Sequence, residues 1–256
     1  AVSGRGEVIS GGARVVKNVT GYDLPKLLAG SWGRLAALTS VTLKTLPRPR
    51  ATATLAIEGL GPERAQAAMD AAMANHAEVA AAAHIPARDG NPARTLLRLA
   101  GFDRAVEARC SVLPALLDNH GLAARLDAAQ ADSLWDEVRN CTPLNNNLPL
   151  WRIVVPTSRG GGVGAGLDER GADWLLDWAG GLVWACHHDA EEIRAIARNA
   201  GGHATLIRGP EAMRARVPFL DPPQPGVARL AERVRRAFDP AGVFETGRFL
   251  DMVHAD

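Results

Sequence analysis

Between residues 50 and 208 a succession of strand, helix and strand occurs twice, and few architectures accommodate such a repeat. The first copy opens with an apolar strand over 52–58, after which Gly61 and Pro62 start a helix. Ala65, Ala68, Met69, Ala72 and Met73 recur at helical spacing, so that helix carries one apolar face. Strands are predicted near 78–84 and 95–100, then a second helix from 103 with Val106, Cys110, Leu113 and Leu117 in line. Pro114 is expected to kink or shorten it. A third helix is predicted over 129–140. The second copy has strands near 151–155, 173–178 and 182–187. A helix over 189–200 follows, carrying Ile193, Ile196, Ala197 and Ala200, and a strand at 203–208. Strand pairs separated by helices predict an α+β fold with one antiparallel sheet and its helices on one face.

Two proline-rich punctuation points bound this region. LPRPR at 46–50 breaks regular structure and marks a linker. Pro222, Pro223 and Pro225 set off a last helix, 225–238, with Val227, Leu230, Ala231, Val234 and Phe238 in register. Ahead of the first linker, residues 7–16 and 38–46 read as strands; Val41, Leu43 and Thr45 alternate with Thr42 and Lys44. The reading is thus three stretches, 1–48, 49–222 and 223–256, the middle one bracketed by two pieces of another domain. The chain starts at Ala1 within what reads as a strand and hairpin, so a truncated N-terminus is expected.

Composition excludes several classes. A net charge of +1 with scattered basic residues gives no field that recruits nucleic acid or acidic lipid. Arg233, Arg235 and Arg236, the densest basic group, read as a solvated helix face. No apolar run reaches the roughly 18 residues a membrane span needs. Cys110, Cys141 and Cys186 are odd in number, widely spaced and without a CxxC, so neither a disulfide framework nor a metal site is expected. They read as reduced thiols of a cytoplasmic protein.

The residues richest in chemistry are KNVTGYDL at 17–24 and GSWGRLAALTSVTLKTLPRP at 30–49. Gly30, Ser31 and Gly33 allow a tight turn whose amides can approach an anionic ligand. The same stretch also reads as a short helix that ends on a glycine stop, DLPKLLAG. In the repeat region, Arg152 can hold a carboxylate by a bidentate contact, or pack its stem on Trp151 and form a local ion pair. His203, on a strand, can move a proton or be a hydrogen-bonded structural histidine. RGGGVGAGL at 159–167 reads as a flexible hairpin connection, since no convincing helix follows it. His187-His188-Asp189 reads as a helix start capped by Asp189 rather than a chelating pair.

Residues 14–49 resemble a segment carried by FAD-linked oxidases of the vanillyl-alcohol-oxidase type, late in their PCMH-type FAD-binding domain. FDPAGVFETGRF at 238–249 is similar to the closing loop of the same family. The phrases LWRIVVP (150–156), DWAGGLVW (177–184) and GGHATLIRG (201–209) are similar to FAD-binding subunits of bacterial glycolate oxidases. The resemblance implies an antiparallel-sheet cap domain flanked by two partial segments of a flavin domain. It implies FAD contacts at Thr20, Gly21, Tyr22, Asp23, Gly30, Ser31, Gly33, Leu35 and Arg248. Catalytic residues stay open, with Arg152 and His203 as candidates. Arg34 stands where the family has Thr, Ala36 where many relatives have Gly, and Glu245-Thr246 where they have Asn-Pro.

The implied activity is oxidation of glycolate, a 2-hydroxy acid, to glyoxylate, with hydride passed to flavin N5 and electrons to a partner subunit. The implied partners are a homologous FAD-binding subunit and an iron–sulfur subunit, in the cytoplasm or peripherally at the inner face of its membrane. A second reading is a non-catalytic assembly or docking module. No glycine-rich pyrophosphate loop precedes residue 17, so this chain alone is expected to hold no FAD and to be inactive.

Overall fold

The computed structural model describes residues 1–13 and 21–246, and the chain divides into two compact units. One comprises Ala1–Pro47 with Pro218–Asp256, the other Arg48–Val217.

The first unit begins with β1 (Val2–Ser3), α1 (Leu24–Ala29) and β2 (Ala36–Ala37), β1 and β2 pairing antiparallel. Asp23 caps α1 by accepting from the Lys26 amide, and Gly30 closes it, as the DLPKLLAG reading requires. The expected strand over 38–46 does not form: Val41, Leu43 and Leu46 are exposed. Alternation supplies a strand's faces but not its hydrogen-bond partners, and β1 pairs with Ala36 and Ala37, not with the 38–46 stretch. Of the strand expected over 7–16, Val8 makes one isolated bridge to Val2; residues 14–16 lie outside the described residues.

The second unit runs β3 (Ala51–Glu58), α2 (Pro62–Ala74), β4 (Ala81–Ile85), β5 (Arg94–Gly101), α3 (Asp103–Leu116), β6 (Ala123–Arg125) and α4 (Ala128–Asn140). It continues β7 (Leu150–Val154), α5 (Gly160–Asp168), β8 (Asp173–Asp177), β9 (Leu182–Cys186), α6 (Ala190–Asn199), β10 (His203–Arg208) and α7 (Glu211–Arg214). The chain then returns to the first unit with α8 (Pro225–Phe238). Within that unit the Gly4 amide donates to the Phe238 carbonyl, and Arg5 Nε donates to the Ala237 carbonyl.

All pairings of the eight-stranded sheet are antiparallel, in the order β10-β7-β9-β8-β4-β5-β3-β6. Read from its centre outward, the order is β4-β5-β3-β6 on one side and β8-β9-β7-β10 on the other. Each half is a β-α-β-β-α-β unit, and the two meet at His84 opposite Leu176. The repeat seen in the sequence is therefore an approximate two-fold repeat of the fold.

Helices α2, α3, α5 and α6 bury their apolar stripes against one sheet face: Ala65, Ala68 and Met69, Val106 and Leu113, Val163 and Leu167, Ile193 and Ala197. Met73, expected on the α2 stripe, is exposed. Pro114 lies inside α3, which ends two residues later, so it shortens the helix. The helices do not all share one face. Leu134, Trp135 and Val138 of α4 pack on the opposite face against Ala56, Ala83 and Leu96. A sheet whose β3 is apolar at successive positions needs cover on both sides.

The glycine run at 159–167 is the other correction: it forms a helix, α5, not a hairpin connection. Its glycines answer close approach. A Cβ on Gly160 would lie 2.3 Å from the Gly180 carbonyl oxygen, one on Gly161 2.7 Å from Gln66 Cβ, and one on Gly164 2.7 Å from the Trp174 ring. In the fold repeat α5 is the counterpart of α2, and it packs against α2 through this glycine face.

Candidate active site

Cross-strand partners in a sheet present their side chains on one face, and alternate residues share that face. The register across β8, β9, β7 and β10 sets Asp177, Leu182, Val154 and His203 in one row. Leu175, Trp184, Arg152 and Thr205 form the next. Both rows lie on the face that α4 covers over the other half of the sheet. Here that face is partly open: His203 is exposed, and Arg152, Val154, Asp177 and Trp184 are half-buried. The structure therefore brings Arg152 and His203, distant in sequence, to adjacent rows of one surface.

Arg152 departs from its expected packing. Its guanidinium lies over Trp178, 5.1 Å from the ring centroid, while Trp151 is fully buried and Arg194 lies over it at 5.8 Å. The alternation of the strand explains this, because Trp151 points into the main core and Arg152 away from it. Among the described residues Arg152 forms no ion pair, and its guanidinium lies over an aromatic ring, a contact that consumes none of its donors.

Trp178 and Ala179 both hold positive φ, 52° and 53°, ahead of Gly180 at 92°. Such consecutive left-handed residues cost energy, and the surroundings impose them. The Asp177 carboxylate accepts from the Trp178 amide at 2.7 Å, and Gln66 Nε2 donates to the Ala179 carbonyl at 3.0 Å. The turn thereby holds the Trp178 ring, 55 % exposed, beneath Arg152. Burial pushes the Asp177 carboxyl above its usual pKa, only partly offset by the Trp178 amide. Asp177, Trp178 and Trp184 were not singled out from the sequence. The signal was a glycine pair between two tryptophans in DWAGGLVW.

His187 and His188 stack, centroids 5.0 Å apart, at the start of α6, where Asp189 accepts from the Glu191 and Glu192 amides as its cap. No cluster able to hold a metal occurs among the described residues.

The residues that the family resemblance assigns to FAD lie in the first unit; Thr20 and Arg248 fall outside the described residues. Gly21 and Gly33 have φ of 76° and 79°, with open space where a side chain would stand, and Tyr22 is 94 % exposed. Asp23 is occupied with the Lys26 amide and ammonium, the Ser31 hydroxyl donates to the Leu28 carbonyl, and Leu35 is buried. Gly30 is the α1 cap. Arg34 pairs with Glu245, so two of the three departures from the family pattern meet in one contact. The polar side chains beside the glycine turns are committed locally.

No protein-family model matches the chain. It is 31 % identical to glycolate oxidase subunit GlcE of Escherichia coli (strain K12) over 251 residues, covering 96 % of this chain and 63 % of that protein. It is 26 % identical to an uncharacterized FAD-linked oxidoreductase of Mycobacterium tuberculosis, covering 96 % of this chain and 62 % of that one. A shorter match, 42 % over 57 residues, is to D-lactate dehydrogenase of Archaeoglobus fulgidus, 22 % of this chain and 13 % of that one. The chain thus spans less than two thirds of these relatives. Among solved structures, alkyldihydroxyacetonephosphate synthase superposes with a TM-score of 0.51 at 10 % identity, covering 89 % of this chain and 50 % of that one. That likeness concerns the fold.

Proposed function

We propose that the chain, similar along nearly its whole length to a glycolate oxidase subunit, is part of an FAD-linked oxidase, a flavin-dependent 2-hydroxy-acid oxidoreductase subunit whose substrate is glycolate. The observation that carries the reading is Arg152, a guanidinium with no carboxylate partner among the described residues, held over Trp178 on a partly open sheet face. A bidentate contact from that fork suits the carboxylate of a small 2-hydroxy acid. His203, in the adjacent row, would take the hydroxyl proton. When bound, FAD supplies the acceptor for the hydride. Electrons then pass to a homologous flavoprotein subunit and an iron–sulfur subunit, at the cytoplasmic face of the membrane or in the cytoplasm. No helix among the described residues is long and apolar enough to cross a membrane.

The test is glycolate-dependent dye reduction by the assembled oxidase. Arg152→Gln is expected to raise KM for glycolate by about 100-fold, the loss of a bidentate charged contact. His203→Gln is expected to lower kcat with little change in KM, by a factor of order 100. Unchanged kinetics in both variants would sink the assignment.

A second reading, a docking module that holds no flavin by itself, is favoured by the local commitments of Asp23 and Ser31. A site whose polar side chains are committed elsewhere holds a nucleotide weakly, because the entropic cost of binding is met in full. Titrating FAD into this chain and following flavin fluorescence decides the point: tight one-to-one binding would refute it.

A further inference from the structure

The middle unit contains a cavity of about 600 Å³ that the reading above does not use; Arg48, Arg50, Arg98, Thr52 and Asp132 are among its lining residues. Thr52 of β3 and Arg98 of β5 lie on the sheet face that α4 covers, since Thr52 is opposite Ala100 and Thr54 opposite Arg98. α4 contributes Asp132, and the LPRPR linker contributes Arg48 and Arg50.

Two of the three guanidiniums rest on aromatic rings. Arg98 lies 5.6 Å from the Trp135 centroid, and Trp135 is itself anchored by its Nε1 donating to Thr54 Oγ1 at 3.0 Å. Arg50 lies 5.6 Å from the Phe102 centroid. Among the described residues none of the three forms an ion pair, whereas Arg88, Arg94, Arg109, Arg125 and Arg139 of the same unit each do. One carboxylate against three cations leaves a local excess of two positive charges in a chain whose net charge is +1. Like charges on one wall repel, and an anion shared between them removes that penalty. Ring contacts hold the forks without consuming their donors, so little ordering remains to be done on binding.

We propose that this groove binds a small organic polyanion with at least two oxyanion groups, a di- or tricarboxylate or a phosphate ester, separate from the substrate that Arg152 receives. The cavity lies within the range of about 300–1,000 Å³ usual for small-molecule sites. Asp132 offsets about one of the three arginines, so the remaining excess attracts a single carboxylate weakly and a multiply charged ligand in proportion to its greater charge.

Isothermal titration of the full chain at about 0.15 M ionic strength tests this, with citrate, pyrophosphate and acetate as probes. Saturable one-to-one binding of citrate or pyrophosphate is expected, acetate being at least about tenfold weaker, and the two arms separate carboxylate from phosphate recognition. Arg98→Gln and Arg50→Gln should each weaken binding about tenfold or more. Asp132→Asn should tighten it several-fold, a sign that general surface attraction through the rest of the chain would not produce. If Arg98→Gln loses native circular dichroism by releasing Trp135, Arg48→Gln, which breaks no ring contact, carries the same expectation. The proposal is overturned by absence of saturable heat from both probes, by equal affinity in all variants, or by weaker binding in Asp132→Asn. An acidic peptide that saturates the groove when neither small anion does would likewise overturn it.

Discussion

The buried His84 is expected to make the middle unit lose stability as the pH falls from about 6.5 towards about 4. The ring lies on β4 in the main core, 1 % exposed, sharing a 3.0 Å hydrogen bond through Nδ1 with the buried Thr95 hydroxyl and facing the Trp174 ring at 5.7 Å. Burial lowers its pKa from 6.5 to about 4, because the imidazolium would lose its hydration with no carboxylate in exchange. The folded value is depressed, so above the unfolded pKa both states are neutral and stability is complete. As pH falls from 6.5 towards 4 the unfolded chain takes up a proton that the folded chain refuses, and stability falls. An interval of about 2.5 pH units at about 1.36 kcal/mol per unit amounts to about 3 kcal/mol, a large share of a domain's total. Carboxylates titrate in the same window, so the measurement is a difference: urea unfolding of the parent and of His84→Gln at about pH 7.5 and about pH 4. Whatever the variant costs at neutral pH, the parent should lose about 3 kcal/mol more than it does on acidification. A stability difference between the two proteins that is independent of pH would refute the reasoning.

Other expectations are briefer. Gly180→Ala sets a Cβ 1.9 Å from Gln66 Oε1 at a φ of 92°, and should lower Tm by roughly 10 °C in a thermal melt; an unchanged melt would mean the contact between α2 and the Trp178–Gly180 turn yields easily. Trp135→Phe removes the donor to Thr54 and should cost about 1–2 kcal/mol in urea, leaving a buried hydroxyl unpaired. Burial raises the thiol pKa of Cys110, Cys141 (to about 11) and Cys186. Iodoacetamide at about pH 7.5 should therefore label the native chain slowly and all three thiols after denaturation. Rapid labelling of native Cys141 would contradict its buried placement.

The sequence by itself determined the elements of the middle unit and their class. Helical spacing in Ala65–Ala72 and in Ile193–Ala197, and the strands at 94–101 and 203–208, are local properties that neighbouring residues dictate. The capping roles of Asp23 and Asp189 were legible for the same reason: the side chain and the amides it satisfies lie within three residues. Tertiary structure decided the rest. RGGGVGAGL looks like a loop because glycine disfavours an isolated helix; packing against α2, Gly180 and Trp174 makes glycine the residue that fits. The 38–46 stretch looks like a strand, yet a ladder needs a partner that no pattern within the stretch can supply. Arg152 and His203 were each visible as candidates, but only the register of β7, β9 and β10 sets them on one face, and only the strained Trp178–Gly180 turn provides the ring beneath Arg152. Periodicity is a property of neighbours along the chain, whereas a site is made by close approach between segments whose separation in sequence carries no record of it.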